Sequence, residues 1–245
     1  MRLKALLHSA GLEDPIEGSG PEVDRVVHDS RVVASGDLFC CIPGSTYDGH
    51  EFAERAVRAG AAAVIAERAL DLPVPVVIVD SVRREMPHLA AAVEGWPSRN
   101  LDLVGVTGTN GKTSVVHFLD AVLERAGRTT ATHGTLSGGR TTPEATDLQP
   151  LLRSWVAMGV DAAAIEVSSH ALSQHRVDGT TFAAVAFTNL SRDHLDFHGS
   201  MDDYEVAKAR LFDGTFSDHG VVVVADRAGR RICLLYTSPS PRDRG

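Results

Sequence analysis

Leu101 to Gly127 reads LDLVGVTGTNGKTSVVHFLDAVLERAG, and the order of its parts decides the fold. An apolar run, LVGVT, leads into Gly108, Thr109, Asn110 and Gly111. Lys112 and Thr113 then open an amphipathic helix, continued from Ser114 to Ala126 and stopped by Gly127, in which Val115, Leu119, Val122 and Leu123 are expected to face a sheet. A buried strand that turns through glycines into a helix start gathers backbone N–H groups and the positive helix end at one point, where phosphate can sit. Lys112 would reach the terminal phosphates and Thr113 would offer its hydroxyl to Mg²⁺. The standard pattern G-x-x-x-x-G-K-[ST] wants a glycine where this chain has Val106. The stretch is therefore either a nucleotide site of another subclass or a glycine turn with an exposed lysine, and the strand, loop and helix order favours the first.

The rest of the chain bounds what that site serves. Its 245 residues are 43% hydrophobic and 23% charged, enough to bury a core and long enough for more than one domain. A net charge of −8 repels nucleic acid and anionic lipid at long range, so a phosphate ligand has to be captured locally. The start, MRLKALLHSAGLEDP, has too short an apolar run for a secretory signal, and no stretch has the length of a membrane span; a cytoplasmic location is expected. Cys40, Cys41 and Cys233 lack framework spacing and are read as reduced thiols, behaving as small hydrophobes. Of 24 Lys plus Arg, only Lys4, Lys112 and Lys208 are lysines, so a lysine here is a marked choice.

Two stretches of alternating strand and helix frame the loop. DLFCCI, HEFAERAVRAGA, AAVIAE, VPVVIVD and a helix around REMPHLAAAVEG make residues 1–98 a small α/β domain, with GWPSRN (Gly95 to Asn100) as a linker. Residues 99–233 continue with LVGVT, the Lys112 helix, a helix around LQPLLRSWVAMG, strands AAAIEV and FAAVAFT, the helix MDDYEVAKARLF and the strand GVVVVAD. Apolar runs without strict alternation, separated by amphipathic helices, indicate a parallel sheet covered on both faces. The fold class expected is α/β: a small first domain followed by an incomplete parallel-sheet ATPase domain of the phosphate-loop type. Residues 234–245 break the pattern with prolines and charges, where a further helix would fit the fold, and are read as an irregular segment that is either a flexible tail or a sequence foreign to the protein.

Two more patches are dense in chemistry. EVSSHALSQHR places Glu166 at the C-terminal end of a buried strand, the end at which open α/β sheets bind ligands, and FTNLSRDHLDFHG follows the next strand in the same way. Glu166 and His194 could converge with Thr113 on metal-bound ATP. Together with DSRVVASGDLF, YDGHEFAERAVRAGAAAVIAE, TGTNGKTS, TTPEATD, EVSSHALSQHRV and TNLSRDHLDFHGSMDDYEVAK, these patches closely resemble the Mur ligases, ATP-dependent amide ligases of peptidoglycan synthesis, over about residues 22–232. The resemblance is closest to the branch that adds the third peptide residue, and the loop without its first glycine is that family's own form.

The resemblance implies a first domain that holds the uridine diphosphate of the substrate, with Ser30 and Arg31 near the nucleotide. It implies that Thr141, Thr142, Ser168, Gln174 and Arg176 contact the muramyl peptide, and that Gly108, Thr109, Asn110, Gly111, Lys112, Thr113 and Ser114 bind ATP, with Asn189 beside the adenine. Thr113, Glu166, His194 and Lys208 would serve magnesium, Lys208 as a carbamate, because a bare ammonium beside Mg²⁺ would be repulsive while a carbamate can ligate it. Lys112, Glu166, His194 and Lys208 would carry catalysis. The implied reaction activates a carboxylate of the UDP-muramyl dipeptide with ATP, giving an acyl phosphate that an incoming amino acid, meso-diaminopimelate or L-lysine, attacks. The protein is expected to act as a monomer. The third domain of such ligases is not among these residues, and the chain alone is expected not to complete amide formation.

Three other readings account for fewer of these residues. A phosphate-loop kinase or GTPase predicts the strict loop pattern and gives no reason for EVSSHALSQHR. A non-catalytic nucleotide-sugar-binding fragment leaves Lys112, Glu166, His194 and Lys208 without a purpose. The related ligase that adds a dipeptide shares the first domain's pattern, but EVSSH and QHR favour the tripeptide branch.

Overall fold

A computed structural model describes residues 1–13, 16–44 and 46–237. The chain divides into two compact units, one formed by Met1–Pro97 with Ala145–Arg153, the other by Ser98–Glu144 with the residues from Ser154 onward.

In the first unit, β1 (Arg25–Val27), β2 (Asp37–Cys40), β3 (Ala63–Ala66) and β4 (Val76–Ile78) form a parallel sheet whose spatial order is the order of the chain. Helices α1 (Leu3–Ser9) and α3 (Val82–Val93) cover one face, with Leu3, Leu6, Leu7, Met86 and Leu89 packed on Leu38, Cys40, Ala63 and Ile65. Helix α2 (Ala53–Ala59) covers the other through Ala53 and Ala56 on Phe39, Cys41, Val64 and Ala66. Every residue of β2 and β3 is buried, so the text runs apolar without alternating. Cys40 and Cys41 lie on opposite faces as free thiols, and burial pushes Cys41 up to about 12. Gly60 ends α2 at φ 113°, with Ser35 Cα 2.9 Å from where a Cβ would stand, so both conformation and space call for glycine.

In the second unit, β5 (Asp102–Thr107), β6 (Thr130–His133), β7 (Ala162–Glu166), β8 (Ala184–Phe187) and β9 (Gly220–Val222) are all parallel in the order β6-β7-β5-β8-β9. Connecting helices are α4 (Lys112–Arg125), α6 (Ser169–Ser173), α7 (Leu195–His198) and α8 (Met201–Ala209), with α9 (Arg227–Thr237) after β9; of α5 (Ala145–Ala157), read in the sequence as part of 99–233, the residues through Arg153 group with the first unit and only those from Ser154 with this one. Val115, Val116 and Leu119 of α4 pack on Val104, Val106, Ala164 and Ala186. Val122, expected in that stripe, is 65% exposed. At 100° per residue the stripe centres between Val116 and Leu119, about 70° away from Val122. The tail expected from 234 begins inside α9, which is helical through Thr237; Ser238–Gly245 lie outside the described residues.

Candidate active site

The strand order fixes where the loop lies. β5 has β7 on one side and β8 on the other, paired Val106 to Glu166 and Thr107 to Phe187, so the chain leaves three adjacent strands at one edge. The loop after β5 is held by the segment after β8. Thr109 N donates to Asn189 O (2.9 Å), Asn110 N donates to Asn189 Oδ1 (3.1 Å), and Asn110 O accepts from Thr188 Oγ1 (2.7 Å) and Asn189 Nδ2 (3.0 Å). Gly108 and Gly111 take positive φ, 144° and 84°. A Cβ on Gly108 would run into the Thr188 hydroxyl, so that glycine lets β8's exit close on the loop.

On the β7 side, Thr113 Oγ1 donates to Glu166 Oε1 at 2.8 Å. Glu166 is 1% exposed and also accepts from Thr135 N (2.9 Å) and Thr135 Oγ1 (3.3 Å). On the β8 side two lysines meet. Lys112 Nζ donates to Gly108 O (2.9 Å) and Thr109 O (3.0 Å), and Lys208 Nζ donates to the same Gly108 O at 2.9 Å. Burial lowers the pKa of Lys112, against the pull of Glu166 and Asp193. Lys208 is 1% exposed; burial first and the neighbouring Lys112 second bring its ammonium down to about 7, with Asp193 opposing. Its Nζ stands 4.6 Å over the ring of Tyr204, one turn earlier on α8.

His194 starts α7 at φ 51°, its ring 4.8 Å from that of His170 and 6.2 Å from that of Tyr204. It therefore lies on the Tyr204 and Lys208 flank. Thr141 Oγ1 is 3.2 Å from Thr135 Oγ1, and Thr142 Oγ1 donates to Glu166 O at 2.9 Å. Ser168 caps α6 and hydrogen-bonds to Thr142. Arg176 binds Gln174 Oε1 (2.5 Å), Thr142 O (3.0 Å) and Glu144 (3.0 Å). Ser114 is exposed in the first turn of α4. Ser30 and Arg31 belong to the first unit, where Arg31 forms a two-pronged pair with Asp29 and holds that carboxyl down to about 2.

Three residues went unremarked in the sequence. Asp193 adds negative charge beside both lysines, Thr135 holds Glu166, and Tyr204 binds Thr109 Oγ1 at 3.2 Å. Asp193 and Tyr204 sit inside the patch already singled out, but Thr135 follows a half-buried edge strand with no local signal.

Among the described residues no group of three or more His, Cys, Asp or Glu side chains is close enough to hold a metal alone. The oxygens of Thr113 and Glu166 fit magnesium nonetheless, since that ion takes one or two protein oxygens and completes its shell with phosphate and water.

Fold and site together define an α/β nucleotide-binding protein with a phosphate loop at the crevice of a parallel sheet. Residues 22–97 match the catalytic domain of the Mur ligase family and 106–238 match the Mur ligase middle domain. The chain belongs to the Mur ligase family. It is 47% identical over 204 residues to the UDP-N-acetylmuramoyl-L-alanyl-D-glutamate--2,6-diaminopimelate ligase of Geobacillus kaustophilus, covering 80% of this chain and 42% of that protein. The ligase of the same name from Streptomyces coelicolor is 42% identical over 251 residues, covering 97% and 49%. A solved structure of a ligase with that name superposes with a TM-score of 0.84 at 27% identity, over 99% of this chain and 51% of that one. The UDP-N-acetylmuramoylalanyl-D-glutamyl-2,6-diaminopimelate--D-alanyl-D-alanyl ligase from Acinetobacter baumannii shares the fold at a TM-score of 0.65 and 19% identity, covering 96% and 51%. The chain thus spans less than half the length of the two relatives named first.

Proposed function

We propose that these residues are the substrate-binding and ATP-binding parts of a cytoplasmic ligase that joins meso-diaminopimelate to UDP-N-acetylmuramoyl-L-Ala-D-Glu in peptidoglycan precursor synthesis. The observation that carries this reading is the convergence of Lys112, Lys208, Thr113 and Glu166 on one phosphate-type loop at the sheet's crevice. The choice of diaminopimelate over L-lysine rests on the names of the relatives. Residues 1–98 serve as the UDP-substrate domain, with Ser30 and Arg31 at the nucleotide, and residues 99–233 as the ATP domain. The protein acts as a monomer.

Both reactants are anionic, so charge neutralisation and alignment carry the catalysis. Lys112 moves from the Gly108 and Thr109 carbonyls, where it rests 2.9 and 3.0 Å away, to the terminal phosphates of ATP. Backbone N–H groups of the loop cradle those phosphates, and Asn189 sits by the adenine. Thr113 and Glu166 would hold magnesium, joined by His194 and by Lys208 as its carbamate, and the ion would supply charge neutralisation for the phosphates. The γ-phosphoryl passes to the substrate carboxylate with release of ADP; the amine then attacks the acyl carbon, the C–N bond forms as the acyl C–O bond breaks, and inorganic phosphate and a proton depart. Thr141, Thr142, Ser168, Gln174 and Arg176 hold the muramyl peptide near the loop. Lys208 suits carbamylation because an amine with a pKa of about 7 is substantially neutral at physiological pH. The free amine adds to CO₂ through a new Nζ–C bond and releases one proton, leaving a carbamate whose charge is on its two oxygens.

Calorimetric titration of the 245-residue chain tests the reading. ATP with Mg²⁺ and the UDP-muramyl dipeptide are each expected to bind, and GTP to bind more weakly than ATP. A chain that binds neither ATP nor the dipeptide overturns the proposal.

A further inference from the structure

We infer that the Gly134–Thr135 turn positions the Glu166 carboxylate and, through it, the Thr113 hydroxyl toward magnesium; this rests on the metal role proposed for Thr113 and Glu166. Strand β6 pairs with β7 up to His133 and Ile165, so the chain leaving β6 passes beside the next residue of β7, which is Glu166. Gly134 is buried and extended, at φ 175°, a conformation open to any residue. Its requirement is space, because a Cβ would fall within the Glu166 carboxylate, 2.7 Å from both Cγ and Cδ.

Thr135 reaches both oxygens of that carboxylate. Its N–H donates to Oε1 at 2.9 Å and its hydroxyl to Oε2 at 3.3 Å. A hydroxyl has one proton, and with the anion taking it, Thr135 Oγ1 is left to accept from Thr141 Oγ1 at 3.2 Å. The order of donation is then Thr141 to Thr135 to Glu166. Thr113 likewise gives its single proton to Oε1, which leaves its lone pairs for a cation. Turning Glu166 about its last torsion would break all three bonds, so Thr135 fixes the carboxylate and the carboxylate fixes the Thr113 rotor.

A role confined to shaping the turn does not account for this. Ser137 Oγ accepts from Gly134 N at 3.1 Å and Ser137 N donates to Gly134 O at 3.0 Å, which closes the turn without the Thr135 side chain. Partners that orient metal-binding side chains typically change metal affinity about 10- to 100-fold when removed.

Binding of a fluorescent ADP to the 245-residue chain, titrated with Mg²⁺ and repeated in EDTA, tests the inference. Thr135→Val is expected to raise the Mg²⁺ concentration for half-maximal enhancement of ADP binding about 10- to 100-fold. ADP affinity in EDTA should stay at the wild-type value, and Thr135→Ser should restore the Mg²⁺ response. Gly134→Ala should shift that response in the same direction, and if it does not fold, the two Thr135 variants decide. A wild-type Mg²⁺ midpoint in Thr135→Val, or an equal loss of ADP affinity with and without Mg²⁺, overturns the positioning role and leaves the ligase reading standing. A wild-type chain whose ADP binding ignores Mg²⁺ overturns the metal assignment and this role together.

Discussion

The molecule contains two parallel sheets that differ in strand order, and among the described residues the glycine loop with its two lysines lies at a strand edge of the second. In the first, β1 to β4 lie in chain order, so every connection steps the same way across the sheet. In the second, the chain leaves β5, passes beyond β7 to form β6, returns to β7 and then crosses to β8 on the far side of β5. Connections depart from neighbouring strand ends in opposite directions there and leave a crevice between them. Gly108–Gly111, Glu166 and Asn189 occupy that edge. Similar apolar strands therefore end in different geometries, and strand order decides which sheet opens a crevice for the glycine loop.

The sharpest way to break this contrast is Lys112→Ala. Removing the loop's charged phosphate contact should weaken ATP binding on the order of 10²-fold, as expected for hydrogen bonds to a charged group. Affinity for the UDP-muramyl dipeptide, measured by calorimetry on the same variant, should hold nearly constant because the uridine diphosphate is assigned to the first unit. Equal loss of both ligands would mean the two sheets do not divide the labour.

A second prediction concerns the cost of building the crevice. Lys208 is buried with its pKa lowered to about 7 from an unfolded value of 10.5, so the unfolded chain binds more protons between those pH values. Folding stability should therefore rise with pH across that window: the penalty is full below about 7 and fades toward 10.5. Lys208→Met should flatten the rise by a few kcal/mol at most, read from urea midpoints at pH 7 and 10 under CO₂-free buffer. An unchanged slope would show that the amine is not held in a dry site.

Arg31→Ala should have the smallest effect. Its guanidinium is on the surface of the first unit, so UDP-ligand affinity should fall about 10-fold with ATP affinity unchanged. Losing its partner, Asp29 should also climb from about 2 toward the ordinary carboxylate range, visible by carbon NMR. A drop in ATP affinity instead would relocate Arg31's role.

Much of this was legible because local rules govern it. Leu101 to Gly127 prescribes a strand, a turn with two left-handed glycines and a helix start, and all three form where the residues call for them. The buried runs of β2, β3 and β7 read directly as two-faced strands. Val122 could not be read correctly, since the pattern gives a helix's apolar arc while the angle at which α4 sits on the sheet selects which part is covered. Helix α1, strand β1 and strand β6 also escaped notice; the first two are short, and all four residues of β6 are only half-buried.

By itself, the sequence determined the α/β class, the phosphate-type loop, the two reactive patches and the family, because each resides in spacing along the chain. Only the tertiary structure decided that Lys112 and Lys208, 96 positions apart by their numbers, share the carbonyl of Gly108, and that Thr135 grips Glu166 from a neighbouring strand's exit. Such contacts depend on strand order and register, which arise when nonlocal apolar surfaces are buried together and no short stretch of sequence encodes them. The low pKa of Lys208 has the same origin, for burial is a property of the assembled fold.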